Sequence, residues 1–208
     1  MVKFLLLRHG ESQNNGSKRY SGQYDTALSE KGRWQAERVG EYLSRTEEIG
    51  AIYASDLSRA ADTARPTARR TGLEVILRKD LREIDVGIFQ NRPYAEISEL
   101  YPKEVEAYRF HNGKIPGGES YGDVGERGRK VLEELALKHE GQTVLIATHG
   151  ALIRSLICFW SGLDYSFVNR IEDIKNATLT EVIFEKGAFC SFRRLPTEYL
   201  QEETVSAE

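Results

Sequence analysis

Apolar residues along this chain fall into short unbroken runs separated by longer stretches with helical periodicity. Phe4-Leu5-Leu6-Leu7 and Val144-Leu145-Ile146-Ala147 are two such runs, and each leads into a His followed by Gly, as Arg8-His9-Gly10 and Thr148-His149-Gly150. Runs of this length read as strands buried on both faces of a parallel sheet. Strands are therefore expected over Val2 to Leu7, Ala51 to Ala54, Glu74 to Leu77 and Thr143 to Ala147. Helices fill the gaps. Ser29 is a candidate N-cap for a helix to Ser44, with Ala36, Val39, Gly40 and Leu43 on one face. Ser58 opens a helix towards Arg70, in which Pro66 is expected to kink or split the element. Tyr121 to Glu140, stopped by Gly141, and Ala151 to Trp160, closed by Gly162, are two more. Ala177 to Phe184 and Phe189 to Arg193 flank Lys186-Gly187 as an antiparallel hairpin.

Two regions interrupt this rhythm. Gly10 to Ala27 is a polar loop, and Leu81 to Asp85 is a shorter one. Between Arg92 and Tyr108, aromatic and charged residues alternate at helical spacing until Pro102 breaks the run. With the turn at Pro116 to Ser120, this gives a lid insertion over about residues 86–120. The polar, acidic residues 197–208 are expected to fray. Strand–helix alternation then predicts an α/β fold: a single domain over residues 1–196, built as a three-layer sandwich. Its sheet is mostly parallel, with helices on both faces and an antiparallel edge near the C-terminus. If the two His-terminated strands share that sheet, both imidazoles emerge at its carboxyl edge, where open α/β folds bind ligands.

Composition narrows the function. At 208 residues the chain can bury one substantial core. A formal charge of −3 supplies no excess of base for a nucleic-acid backbone, so local Arg clusters mean more than the total. No apolar run approaches membrane-spanning length, and Met1 to Leu7 is too short for a signal peptide. A cytoplasmic protein with no membrane or nucleic-acid partner is expected; the sequence carries no oligomer signal. Cys158 and Cys190 lack metal or redox spacing, and Cys158 lies in an apolar helical run that places it in the core. His111 and His139 have no partners at metal-binding spacing and are expected to be exposed. Gly117-Gly118 is too short for a nucleotide-phosphate loop. Neither a metal nor an organic cofactor is expected.

The candidate chemistry clusters at predicted strand ends. A neutral imidazole on a strand end is a rigidly held nucleophile, and Arg8 beside His9 offers a planar fork suited to phosphate oxygens. Gly150 opens a helix whose N–H groups and dipole favour an anion. Arg59, at the helix start after the second strand, can supply a second guanidinium. Glu83 and Asp85, after the third strand, are alternative carboxyl groups for protonating a leaving alkoxide and then deprotonating a water.

These segments, in this order, resemble the histidine phosphatase superfamily, in its phosphoglycerate-mutase-like branch. The matching stretches are LLLRHGES followed by Asn15, YSGQYDTALSEKG, YASDLSRAADTA, LREIDVG, PGGES and VLIATHG. The resemblance implies that His9 becomes phosphorylated during turnover, that Arg8, Arg59 and His149 surround the transferring phosphoryl group, and that Glu83 rather than Asp85 is the proton donor. It also assigns Asn15, Ser21 and Gly22 to substrate or phosphate binding. Two segments depart from the family pattern. Phe89-Gln90-Asn91 stands where an aromatic–Glu–Gly turn is common, and Gln13-Asn14 replaces an acidic–aromatic pair. Asn91 can adopt the left-handed conformation that Gly would favour. Cofactor-dependent mutases of the family carry a longer insertion than Glu83 to Gly117. The expected activity is therefore metal-independent hydrolysis of a small phosphorylated metabolite. Phosphoglycerate mutase is the alternative, and a non-catalytic module that binds a phosphorylated ligand is a further one.

Overall fold

Alternation within β1 (Val2–Arg8) decides the layers. Phe4 and Leu6 join one core cluster and Leu5 and Leu7 the other, and all four are buried. The computed structural model describes residues 1–15 and 17–201. After β1 come α1 (Glu30–Thr46), β2 (Ile49–Ser55), α2 (Ser58–Thr71), β3 (Val75–Arg78), and the lid helices α3 (Tyr94–Leu100) and α4 (Pro102–Phe110). The chain continues through α5 (Tyr121–Lys138), β4 (Thr143–Thr148), α6 (Gly150–Trp160), β5 (Leu179–Glu185) and β6 (Ala188–Arg194). The six strands form one sheet in the order β3-β2-β4-β1-β5-β6. Its first four strands are parallel, and β5 and β6 extend it antiparallel. Leu5, Leu7 and Leu145 pack with Val39 and Leu43 of α1 and Ala64 of α2. On the opposite face, Phe4, Leu6 and Ile146 join Leu132 and Leu135 of α5 and Leu152 of α6. The chain is thus an α/β three-layer sandwich.

Local signals set the helix starts. The Ser29 hydroxyl accepts from the Gly32 N–H at 3.0 Å, and the buried face of α1 includes Ala36, Val39, Gly40 and Leu43. Ser120 caps α5 in a reciprocal box with Asp123. The lid is not a free flap. Phe89, Ile97, Val105, Tyr108 and Ile115 are buried in the same cluster as Leu6 and Ile146. Cys158 is fully buried.

Three expectations need correction. Pro66 does not split its helix: α2 runs unbroken from Ser58 to Thr71. Pro66 is buried against Gly40 of α1, where even a Cβ would lie 2.8 Å from the Pro66 Cβ, so the helices meet where α1 has no side chain. His139 is buried rather than exposed. Its ring lies 2.9 Å from the Tyr53 hydroxyl and 2.6 Å from Gln142 Oε1, and these bonds offset the loss of water. The chain also does not fray at Thr197. Glu198–Leu200 makes a helical turn, and buried Tyr199 donates its hydroxyl to the Ala177 carbonyl at 3.0 Å. The rest of the expected frayed tail, residues 202–208, lies outside the described residues. Among the described residues no helix is long and apolar enough to cross a membrane.

Candidate active site

β1 and β4 are neighbours in register through Arg8 and Thr148, so His9 and His149 leave the sheet side by side. Their ring centroids lie 5.2 Å apart. The His9 backbone is fixed on both sides: its N–H donates to the Thr148 carbonyl at 2.9 Å, and its carbonyl accepts from the Asn176 side-chain amide at 2.9 Å. Its Nδ1 lies 2.7 Å from the Gly10 carbonyl. A carbonyl only accepts, so Nδ1 carries the proton and Nε2 keeps its lone pair. Burial, then the charges of Arg59 and Arg8, hold the His9 pKa well below its ordinary value of 6.5, outweighing the Gly10 hydrogen bond. His9 is therefore a neutral imidazole with a free, directed nitrogen.

His149 is fully buried, and among the described residues neither of its ring nitrogens has a hydrogen-bond partner. Burial lowers its pKa most, followed by Arg59, His9 and Arg8. Arg59 is 2% exposed, yet it stays anchored because its guanidinium donates to the Tyr24 carbonyl at 2.9 Å and the Gly22 carbonyl at 2.8 Å. Arg8 donates to the Ile174 carbonyl, and its buried Nε has no hydrogen-bond partner among the described residues. Backbone carbonyls hold both guanidinium groups, and Arg8 also lies 3.6 Å from the exposed Asp173 carboxylate at the cavity rim.

The turn after His9 is fixed by close approach rather than by an unusual backbone. A Cβ on Gly10 would stand 2.6 Å from the Gly32 carbonyl oxygen, and the Gly10 N–H donates to Thr63 Oγ1 of α2 at 2.9 Å. Gly22 does use glycine's freedom: its φ is +49°, and a Cβ there would strike Val86 Cγ2 at 2.4 Å.

Glu83 reaches the same place from the loop after β3. Its carboxyl accepts from the Ala151 N–H at the start of α6 at 3.1 Å and from its neighbour Ile84 at 3.0 Å. The helix N-terminus, read from sequence as an anion site, thus holds this carboxyl group in place. Glu83's loop is clamped by residues the sequence reading did not single out. Arg127 of α5 donates to the Asp80 and Arg82 carbonyls at 2.7 and 3.0 Å and makes a two-point ion pair with Glu119 at 2.9 and 3.0 Å. Thr148 donates its hydroxyl to the Leu81 carbonyl at 2.7 Å. Asp85 is turned into this scaffold: its N–H meets Glu119 and its side chain accepts from the Gly87 N–H.

One cavity of about 330 Å³ joins these groups. His9, Arg8, Arg59, Glu83, Asn15, Ser21, Gly22 and Gly150 all line it, and His149 lies behind its wall against the His9 ring. Asn15 is oriented by the Ser12 N–H and hydroxyl, at 2.8 and 2.7 Å. Asn91 takes the left-handed conformation at φ +57°, and its N–H donates to the Tyr20 carbonyl. Asn91 thus supplies the left-handed position that a glycine would favour. Arg154 and Asp173 also line the cavity, and sequence reading missed both along with Arg127 and Asn176. Among the described residues no three His, Cys, Asp or Glu side chains gather as a metal site.

A three-layer α/β fold with two histidines, the buried guanidinium of Arg59 and the half-buried one of Arg8 at the carboxyl edge of its sheet defines an anion-handling protein of the phosphate-transfer kind. The chain belongs to the histidine phosphatase superfamily (branch 1), whose family model matches residues 4–194. Phosphoserine phosphatase 1 of Hydrogenobacter thermophilus is 38% identical over 168 residues, covering 80% of this chain and 79% of that protein. Phosphoglycerate mutase-like protein 4 of Arabidopsis thaliana is 37% identical over 159 residues, covering 74% and 69%. Among solved structures, a mycobacterial glucosyl-3-phosphoglycerate phosphatase complexed with VO3 superposes with a TM-score of 0.81 at 32% identity, covering 92% of this chain and 96% of that one.

Proposed function

We propose that this protein hydrolyses a small phosphorylated metabolite through a phosphohistidine on His9. The observation that carries the reading is the convergence of a neutral, tautomer-fixed imidazole, two carbonyl-anchored guanidiniums and one carboxyl group on a single cavity. His9 Nε2 attacks phosphorus in line, forming the P–N bond as the P–O bond to the alcohol breaks. Glu83, entering as the carboxylic acid, gives its proton to the departing oxygen. Water then attacks the phosphohistidine and passes a proton to Glu83, and the P–N bond breaks to release inorganic phosphate and restore neutral His9. Arg8 and Arg59 stabilise charge on the equatorial oxygens, where most catalysis of phosphoryl transfer arises. His149, with two unpartnered nitrogens behind His9, is placed to meet an oxygen that reaches between the rings. Asn15, Ser21, Gly22 and Gly150 shape the phosphate end of the cavity.

The test is direct. Turnover of an aryl phosphate should leave acid-labile, base-stable phosphate on the protein, and His9→Ala should abolish both label and hydrolysis. Arg59→Ala should lower kcat by about 10²–10³-fold, the scale for losing one preorganised donor. Full activity without a labelled protein would overturn the phosphohistidine route. The mutase-named relative supports the alternative of transfer between hydroxyls. Conversion of 3-phosphoglycerate to 2-phosphoglycerate exceeding release of inorganic phosphate would select it. The exposure of Asp173 at the cavity mouth, with 72% of its side chain open, favours water as the acceptor.

A further inference from the structure

Arginines in this chain are as a rule spoken for. Arg78, Arg82, Arg127, Arg129 and Arg193 each engage a carboxylate, most of them at two points. Arg154 does not. It lines the cavity from α6, makes no hydrogen bond or ion pair among the described residues, and keeps its Nε buried without a partner. Its near neighbours on the cavity wall are Tyr108 and Tyr121, stacked with ring centroids 5.0 Å apart. Burial raises both phenol pKa values, so these rings stay neutral and do not compensate the guanidinium. Lys18 and Arg19 also line the cavity and add exposed positive charge, and Arg19 donates to the Asn91 carbonyl. An unpaired, partly desolvated guanidinium beside a phosphate pocket needs an anion that the protein itself does not provide.

Spacing says which kind. Gly150 lies against the Arg8 guanidinium, where a Cβ would sit 3.4 Å from its Nε. Arg154 follows four residues later on the same helix face, about 6 Å along the axis. The second anion is therefore only a few bonds from the phosphoryl group. One guanidinium fork matches one planar carboxylate. A second phosphoryl dianion would call for a cluster of anchored cations like that around His9, whereas here only Arg154 is partly buried and Lys18 and Arg19 are exposed.

Building on the phosphatase reading, we propose that Arg154 is a specificity-determining residue that pairs with a carboxylate on the leaving alcohol. The enzyme then acts on small phosphorylated carboxylic acids. The test compares kcat/KM for 3-phosphoglycerate and glycerol 3-phosphate, which share a three-carbon skeleton and differ in whether its far end is carboxylate or alcohol. The wild type should favour phosphoglycerate by tenfold or more, Arg154→Met should bring the ratio to within about twofold of one, and Arg154→Lys should restore part of it. Because the readout is a ratio, a general loss of folded protein does not imitate it. A wild-type ratio near one, or a preference that survives in Arg154→Met, overturns the proposal. A parallel arm measures binding of the two compounds to His9→Ala by calorimetry, with and without Arg154→Met. If no phosphomonoester is hydrolysed but Arg154-dependent preference persists in binding, the phosphatase reading fails and the carboxylate subsite stands. Hydrolysis without Arg154-dependent preference is the reverse outcome.

Discussion

A glycine follows each candidate histidine, and at the scale of single residues the two do different jobs. Gly10 is locked against α1, with 2.6 Å between its would-be Cβ and the Gly32 carbonyl oxygen, and the mating Gly32 has no more room. Gly150 has ordinary contact distance to the Arg8 guanidinium, 3.4 Å at nearest. Gly10→Ala should therefore cost about 1–3 kcal/mol, the scale of overpacking, because two backbones must separate. Gly150→Ala should leave the urea midpoint nearly unchanged. Equal shifts for both variants would show that the contrast in space does not govern the turns. The common pattern of apolar run, His and Gly was legible in sequence, and it located both histidines correctly. The reason for each Gly was not legible, since close approach depends on a helix that starts many residues later.

The element that carries Glu83 into the cavity is the short loop from Arg82 to Asp85, which has no regular structure to hold it. α5 supplies the restraint, through Arg127 and its ion pair with Glu119, and β4 adds Thr148. Arg127→Met should thus lower kcat by about 10–100-fold through misplacement of Glu83, with KM little changed, and Arg127→Lys should recover part of the loss. A loss confined to KM would show that Arg127 acts on substrate binding instead. Strands, helices and the split of the lid at Pro102 were readable because period and punctuation are local. Arg127 was not, for it is one polar position on an amphipathic helix, and its meaning lies in carbonyls more than forty residues earlier. Arg154 was hidden likewise inside a largely apolar run. Glu83 could be chosen over Asp85 only by family resemblance, and the structure shows the physical difference: one carboxyl faces the cavity and the other caps its own turn. Pro66 does not split α2, one of the two outcomes expected of it, and it packs on Gly40.

At the scale of the molecule, the pocket makes stability depend on pH with a definite sign. His9 and His149 are held neutral in the folded state, with pKa values well below 6.5, by burial and by Arg59 and Arg8. In the unfolded chain both return to about 6.5. Below that pH the unfolded state binds more protons than the folded one, so acid favours unfolding. Each histidine contributes a slope of about 1.4 kcal/mol per pH unit until its folded pKa is reached, hence about 3 kcal/mol per unit for the pair. Above pH 6.5 the contribution is complete and flat. Carboxylates with lowered pKa, such as Asp56 paired with Arg82, act in the same direction but nearer pH 4, so the window from pH 6.5 to 5 reports the histidines. Urea unfolding at steps across that window should show this fall, and His149→Gln should roughly halve its slope. Saturating inorganic phosphate should also flatten it, because an anion between the guanidiniums cancels the charges that oppose protonation. A slope that His149→Gln and phosphate both leave untouched would mean that the buried pair does not titrate with folding, and that the anion does not enter beside it.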